Sequence, residues 1–341
     1  MKGLHMKEKK LNVDIYNDLC DQLPDFLSNY CYVGLSELGI STRISYIRDI
    51  IYFFRFSIET FPYFPEKNLK EITVSDIGKI TANNINTYLM YMHEKYELSE
   101  KTRARRKSAI SSMYKYLIDT EKKLEYNPVS GANRVKIPQK DFVIHLTEEE
   151  QNILLNGIYA GTGLTDREMK LHKYYQKRDI AIIFLFLDMG LRISELNGID
   201  ISDIDLEDCS VIVNRKGNKY QKLWFSDRSK EYIKDYLEER ENRHDIMTND
   251  SPLFVTIKGA RLSVRAIQEM LNKYMNACLP DKAGIISVHK LRSSFAMQYY
   301  RKTDGDILSL QRKLGHSSIS TTNIYAKASD NEMKQNRNWN S

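Results

Sequence analysis

The chain is 341 residues long, 42% apolar and 28% charged, an ordinary globular composition with room for two domains. Four scattered cysteines (Cys20, Cys31, Cys209, Cys278) without a C-x-x-C pair argue against a zinc site or a disulfide framework and for a reducing compartment. The longest apolar run, Ile180 to Leu187, is far too short to cross a bilayer, and M-K-G-L-H-M-K-E-K-K lacks the apolar core of a signal peptide, so a cytoplasmic protein with no membrane partner is expected. The net charge of +6 is uneven: up to Lys140 there are 22 Lys and Arg against 17 Asp and Glu, and beyond it 29 against 28. The first part is thus the more basic, which suits a module that grips a polyanion.

From about Asp14 to Tyr126 every strong pattern is helical. Asp14 to Tyr32 mixes apolar and acidic residues. Ser41-Thr42 offers an N-cap for a segment with Ile44, Ile47, Ile51, Phe54 and Ile58 spaced three and four apart, and Pro62 and Pro65 break the chain after it. Thr81 can cap a third helix carrying Ile85, Tyr88, Leu89 and Met92. Ser99 starts a fourth, with Ile110, Met113, Tyr114 and Leu117 as its apolar stripe. Four such helices predict a small bundle. The fourth opens with Lys101, Arg103, Arg105, Arg106 and Lys107, a placement that opposes the helix dipole. A solvated charged face is one reading of it. Contact with a phosphate backbone, which would reverse the penalty, is the other.

Asn127-Pro128 to Pro138 reads as a linker, with Gly131 and two prolines. A second domain then opens at Thr147-Glu148-Glu149-Glu150, an N-cap followed by acidic residues. Asp179 to Leu187 is apolar on all sides and predicts a buried helix that Gly190 stops. Arg192 follows at once, where a guanidinium is costly unless paired. Glu195 could pair with it structurally, or could orient it from behind toward a ligand anion. Asp203 to Leu206, Cys209 to Arg215 and Lys219 to Phe225 predict the only β region, with Lys216-Gly217-Asn218 as a hairpin turn. Lys216 is then either a tip that reaches outward or an edge-strand lysine that deters pairing. Further helices are expected over Asp227 to Arg243 and Ser263 to Tyr274, with a short strand from Pro252 to Val255 between them.

The stretch from Ser287 to Tyr325 holds S-V-H-K-L-R-S-S-F-A-M and L-G-H-S-S-I-S-T-T-N-I-Y. His289 and Arg292 are three apart and share a helix face, and His316 precedes Tyr325 by nine residues. Two imidazoles, a guanidinium and a phenol with no acidic cluster nearby suit an anionic centre, of which a phosphodiester is the obvious candidate. Buried core histidines and a core aromatic are the bland alternative.

G-L-R-I-S-E-L, a K-G-N hairpin, H-K-L-R and L-G-H followed nine residues later by Tyr stand in a fixed order between Gly190 and Tyr325, and the resemblance they carry covers about Asp14 to Ala328. Together they resemble the tyrosine recombinase family of integrases and Xer-type site-specific recombinases. The resemblance implies a mainly α fold with a small antiparallel β-sheet: a helical core-binding domain over residues 14–126, a linker over 127–141, a catalytic domain over 142–328 and a subunit-docking tail over 329–341. It implies Arg192, Lys216, His289, Arg292, His316 and Tyr325 as catalytic residues, with Tyr325 the nucleophile and Glu195 in support. One departure is visible: many relatives read H-x-L-R-H-T, whereas Ser293 and Ser294 follow Arg292 here, and altered packing is the expected consequence.

The chemistry agrees with that assignment. A phenol with a pKa of about 10 needs its proton removed or its anion stabilised before it attacks. Arg192 and Arg292 would hold the non-bridging phosphate oxygens, His316 would donate to them, Lys216 would protonate the departing 5′ oxygen, and His289 would position or deprotonate Tyr325. No metal, nucleotide or other small-molecule cofactor is expected. The expected partner is a double-stranded DNA recombination site, bound by a homo-tetramer joined through the tail, which would recombine through a Holliday junction. Chromosome dimer resolution and integration or excision of a mobile element are both open. A catalytically silent DNA-binding relative and a type IB topoisomerase-like relaxing enzyme are the contrasting readings.

Overall fold

The computed structural model describes residues 2–64, 68–137, 142–215, 219–243, 247–316 and 318–336, with side chains from 11 to 330. The fold is mainly α-helical with a small antiparallel sheet, as the sequence predicts, and the chain divides into two compact units, residues 1–139 and 140–341.

The first unit contains α1 (Lys2–Cys20), α2 (Ile40–Thr60), α3 (Val74–Gly78), α4 (Ala82–Glu94) and α5 (Glu100–Asp119). Their apolar faces meet in one core that includes Phe53, Phe54, Ile77, Tyr88 and Tyr114. Thr81 caps α4 through a reciprocal box with Asn84, and the Ser99 hydroxyl accepts from Thr102 N–H at the start of α5. The cap of α2 is a correction. Gly39, in extended conformation, precedes the helix, and Ser41 and Thr42 lie inside its first turn. The expected linker also starts inside this unit, because Val129 and Ala132 are buried in its core and the Asn133 N–H donates to Asn86 Oδ1 at 2.8 Å.

The second unit opens with α6 (Glu148–Ala160) and α7 (Asp166–Met189), each begun by a threonine whose hydroxyl and the third helical residue's carboxylate cap one another: Thr147 with Glu150, Thr165 with Glu168. The buried helix expected over 179–187 is the second half of α7, packed in the centre of the unit's main core. α8 (Ile193–Asn197) leads to a sheet of order β1-β2-β3: β1 (Ile204–Asp205), β2 (Ser210–Arg215) and β3 (Lys219–Trp224), with Val213 opposite Gln221 and Arg215 opposite Lys219. α9 (Asp227–Asn242), α10 (Val264–Cys278), α11 (Val288–Lys302), α12 (Ile307–Leu314) and α13 (Asn323–Asn336) complete the unit. No strand forms over 252–255. Pro252 and Val255 make isolated bridges to Asp200 and Arg261, because the partner segments are too short to extend a ladder. The predicted tail is not separate at its start either, since α13 runs from Asn323 through residue 329 to Asn336.

Two glycines fix how these helices meet. Gly190 ends α7 at φ +61°, and a Cβ there would lie 2.2 Å from the Phe295 ring of α11. Gly315 ends α12 at φ +60°, where a Cβ would come within 3.1 Å of the Arg215 guanidinium. Both positions combine a left-handed backbone with a close approach, which only glycine accepts without strain.

Candidate active site

The last turn of a helix presents carbonyl oxygens with no helical donor, and the macrodipole makes that end negative. The end of α12 gives these carbonyls to arginines. Arg292 Nη2 donates to Leu314 O at 2.5 Å, Arg192 Nη2 to Gly315 O at 3.2 Å, and Arg215 Nη2 and Nη1 to Lys313 O and Leu314 O at 2.7 and 3.1 Å. His316 is the next residue. Three guanidiniums and an imidazole from four different elements therefore converge on one helix terminus.

One carboxylate sits among them. Glu195, 3% exposed on α8, accepts from the Arg192 backbone N–H at 2.8 Å and from Arg192 Nη1 at 2.6 Å. It also accepts from Arg215 Nη1 at 3.1 and 3.0 Å through its two oxygens, and Arg292 Nη1 stands 3.8 Å away. Burial pushes this carboxyl up, but the Arg192 N–H and the Arg215 and Arg192 guanidiniums outweigh burial and hold it below its ordinary value. Glu195 therefore pairs with Arg192, one of the two roles the sequence allowed. The Arg192 side chain remains 33% exposed, so its outer edge can still meet an anion.

Arg292 is 1% exposed and also donates to Gly190 O at 2.5 Å, which ties α11 to the end of α7. Burial, then the neighbouring Arg192, lower its pKa to about 10, still protonated at neutral pH. His316 is half-buried. Its Nδ1 engages the buried Thr322 hydroxyl at 3.0 Å. Burial, then Arg292, Arg192 and His289, push its pKa down to about 4, so the imidazole is neutral at physiological pH. His289 lies exposed on the first turn of α11, one turn before Arg292. Tyr325 lies in the first turn of α13, 3% exposed, packed against Phe295, Ala296 and Met297 of α11 and Leu310 and Leu314 of α12. Burial raises its pKa above the ordinary phenol value, while the neighbouring Ser293 hydroxyl and the charge of Arg292 pull it down without prevailing.

Five of the six expected catalytic residues thus belong to this unit's described structure, four of them within reach of the α12 terminus. The sixth, Lys216, lies outside the described residues, directly after Arg215. The Ser293 hydroxyl donates to His289 O at 3.3 Å within α11. One participant was not foreseen. Arg215 carried a legible signal: on β2 it shares the buried face of Val211 and Val213, where a charge demands partners.

The basic start of α5 stands apart, in the first unit. Arg105 pairs with the buried carboxylate of Asp49, and Arg106 Nε lies 3.6 Å from the same group with its guanidinium stacked over Tyr52. Lys107 donates to Ala132 O and Asn133 O, both at 2.9 Å. Arg103 approaches Glu100 at 3.6 Å. Lys101 is exposed, and the ion pairs found among the described residues do not involve it. Burial lifts Asp49 to about 6 even beside Arg105 and Arg106.

Comparison with known proteins adds sequence and fold similarity. The family model described as "Phage integrase family" matches residues 165–332. The tyrosine recombinase XerC of Caldanaerobacter subterraneus is 31% identical over 325 residues, covering 93% of this chain and 86% of its own. The tyrosine recombinase XerS of Lactococcus lactis subsp. cremoris is 26% identical, covering 96% of this chain and 98% of its own. Among solved structures, the Tn1549 transposon integrase in complex with transposon right end DNA superposes with a TM-score of 0.64 at 18% identity, over 89% of this chain and 98% of its own. The XerH site-specific recombinase bound to difH substrate gives 0.60 at 23% identity, over 84% and 76%. These two likenesses concern the fold.

Proposed function

The chain belongs to the tyrosine recombinase family and is a site-specific recombinase, and from that premise we propose that it cleaves and rejoins duplex DNA with Tyr325 as nucleophile. The observation that carries the residue assignment is the convergence of Arg192, Arg292 and His316 on the end of α12, with Tyr325 packed against the same helix. Two guanidiniums and an imidazole held there match the charge that builds on a phosphodiester in the transition state. Arg192 and Arg292 take the non-bridging oxygens, and His316 donates to one of them through Nε2. The tyrosine oxygen attacks phosphorus and the bond to the 5′ oxygen breaks. Lys216 delivers the proton that leaves with that oxygen as a 5′ hydroxyl. His289 positions the phenol or takes its proton. The product is a 3′-phosphotyrosine that another strand's 5′ hydroxyl reverses, and two such exchanges pass through a Holliday junction. No cofactor takes part in this scheme.

In the same reading, residues 14–126 bind the core of the recombination site and residues 142–328 carry the chemistry. Residues 329–341 join neighbouring subunits in a DNA-bound homo-tetramer. Because α13 carries Tyr325 and runs to Asn336, the tail is best tested by truncation after Asn336. Loss of strand exchange with single-site binding intact is expected, and undiminished exchange removes the docking role of the residues beyond Asn336. The nucleophile is tested on a duplex nicked beside the cleavage site. Wild type traps a covalent protein–DNA adduct and Tyr325→Phe traps none; an adduct that persists in the variant means the nucleophile lies elsewhere.

A further inference from the structure

We propose that Arg215 is a positioning residue for strand cleavage: it holds in place, at once, the acceptors that orient Arg192 and Arg292 and the strand end from which Lys216 follows. The proposal rests on the recombinase reading of the site and adds to it a residue with no contact to DNA. Arg215 is 8% exposed, at the last position of β2, on the face that buries Val211 and Val213. A guanidinium there is tolerated only if its donors are matched, and each of its three nitrogens is. Nε donates to Gln221 Oε1 at 3.0 Å, Nη1 to both Glu195 oxygens and Leu314 O, and Nη2 to Lys313 O at 2.7 Å.

What distinguishes this from an ordinary buried ion pair is which acceptors are shared. Glu195 is the group that orients Arg192, through both its backbone N–H and Nη1. Leu314 O is the group that holds Arg292 Nη2. Arg215 binds both. It therefore fixes the spacing between the supports of the two guanidiniums that flank His316. It also anchors the strand end to the corner that bears that histidine. The backbone cooperates: Gly315 adopts φ +60° and offers no Cβ, which would otherwise sit 3.1 Å from the Arg215 guanidinium. With its nitrogens occupied and its side chain buried, Arg215 has little left to offer a phosphate. Its role is geometric.

The test is single-turnover cleavage of the nicked duplex at saturating protein, with duplex affinity measured alongside. Displacing such supports by about 1 Å costs on the order of 10²-fold in rate, so Arg215→Met is expected to cleave ~100-fold slower with affinity within about threefold of wild type. Arg215→Lys, which keeps the charge and at most some of the bonds, is expected to fall between the two. Because Arg215 and Glu195 act through one another, the double variant Arg215→Met/Glu195→Gln is expected to be no more than about threefold slower than the slower single variant. Arg215→Met cleaving within about threefold of wild type, rate losses that multiply in the double variant, or a loss of affinity equal to the loss of rate would each overturn the proposal. Should Arg215→Met fail to fold, Gln221→Leu removes only the Nε partner. A roughly fivefold or greater slowing then supports the proposal and an unchanged rate overturns it. If wild type itself forms no adduct, the recombinase chemistry is what fails; if wild type and Arg215→Met form it equally, only the positioning role does.

Discussion

Glu195→Gln is the substitution whose cost can be worked most directly from the geometry. It preserves shape and removes the single negative charge from a site holding three guanidiniums. The wild-type carboxylate accepts from Arg192 N, Arg192 Nη1 and Arg215 Nη1, with Arg292 at 3.8 Å. Removing one partner of a buried ion pair costs about 3–5 kcal/mol. The Arg215 side chain is 7% exposed and belongs to that class, whereas Arg192, a third exposed, is partly screened. Since glutamine also retains one acceptor oxygen, the low end applies, about 3 kcal/mol. For a unit of this size that is a fall of about 6–12 °C in melting temperature. The assay is convenient because Trp224 lies on β3 of the second unit, so tryptophan fluorescence excited apart from the tyrosines reports unfolding there. The sign with pH follows from the depressed carboxyl: its contribution is complete above the ordinary glutamate range and disappears as pH falls through its lower folded value. The gap between wild type and variant should therefore be widest near neutrality and close in acid. It should also narrow on a cognate duplex, whose phosphate supplies part of the missing charge. A loss below about 1 kcal/mol at neutral pH would refute the view that this carboxylate holds the cluster together.

His316, neutral with a pKa of about 4, binds fewer protons folded than unfolded between that value and its ordinary one near 6.5. Wild type should therefore lose stability relative to His316→Gln as pH drops from 6.5 toward 4; parallel melting curves across that window would contradict it. In the first unit, Lys101→Ala should lower the slope of log affinity against log salt by about 0.9 if Lys101 meets one phosphate, with helix content and melting unchanged. Arg106→Ala should instead lower the melting temperature seen by circular dichroism, because Arg106 supports Asp49 and stacks on Tyr52. Equal effects of the two substitutions on melting would show that this division is wrong.

The fold was legible where a local rule decides. Thr147 and Thr81 each sit three residues before a side chain that can complete a cap, and each starts a helix. Gly190 was readable as a stop, but not the reason it must be glycine, since the Phe295 ring that fills its Cβ space lies a hundred residues on. The cap of α2 misled because Ser41 and Thr42 have the right side chains in the wrong place. Gly39 takes the extended conformation just before them and the helix starts one residue earlier. The basic start of α5 is the same lesson in charge. Lys101, Arg103, Arg105, Arg106 and Lys107 look equivalent along the chain, yet Asp49, fifty-six residues earlier, claims Arg105 and the 132–133 backbone claims Lys107. Solvated face and anion site are then both incomplete descriptions, because part of the stripe is internal structure.

In the candidate site, what could be read was the list of residues proposed to react, and what could not was the scaffold that sets their protonation. Motifs identify Arg192, His289, Arg292, His316 and Tyr325 because each is a residue type with a task. Nothing local says that three guanidiniums will share one helix terminus and one carboxylate, and their charge adds to burial in lowering the histidine's pKa. Burial acts oppositely on the two titrating groups that matter most. Positive charge pushes His316 down and pulls Tyr325 down too, but burial overrides the pull on the phenol and leaves its pKa high. Without DNA, then, the imidazole lacks the second proton and the nucleophile keeps its own. A phosphodiester entering this corner brings negative charge next to Arg192, Arg292 and His316. That charge offsets the repulsion that deprotonates the histidine. The phenol must meanwhile leave the packing of Phe295, Met297 and Leu314 to reach phosphorus, and so sheds the burial that holds its proton. In the mechanism proposed above, substrate binding therefore moves both groups toward cleavage through charge and burial already built into the resting site.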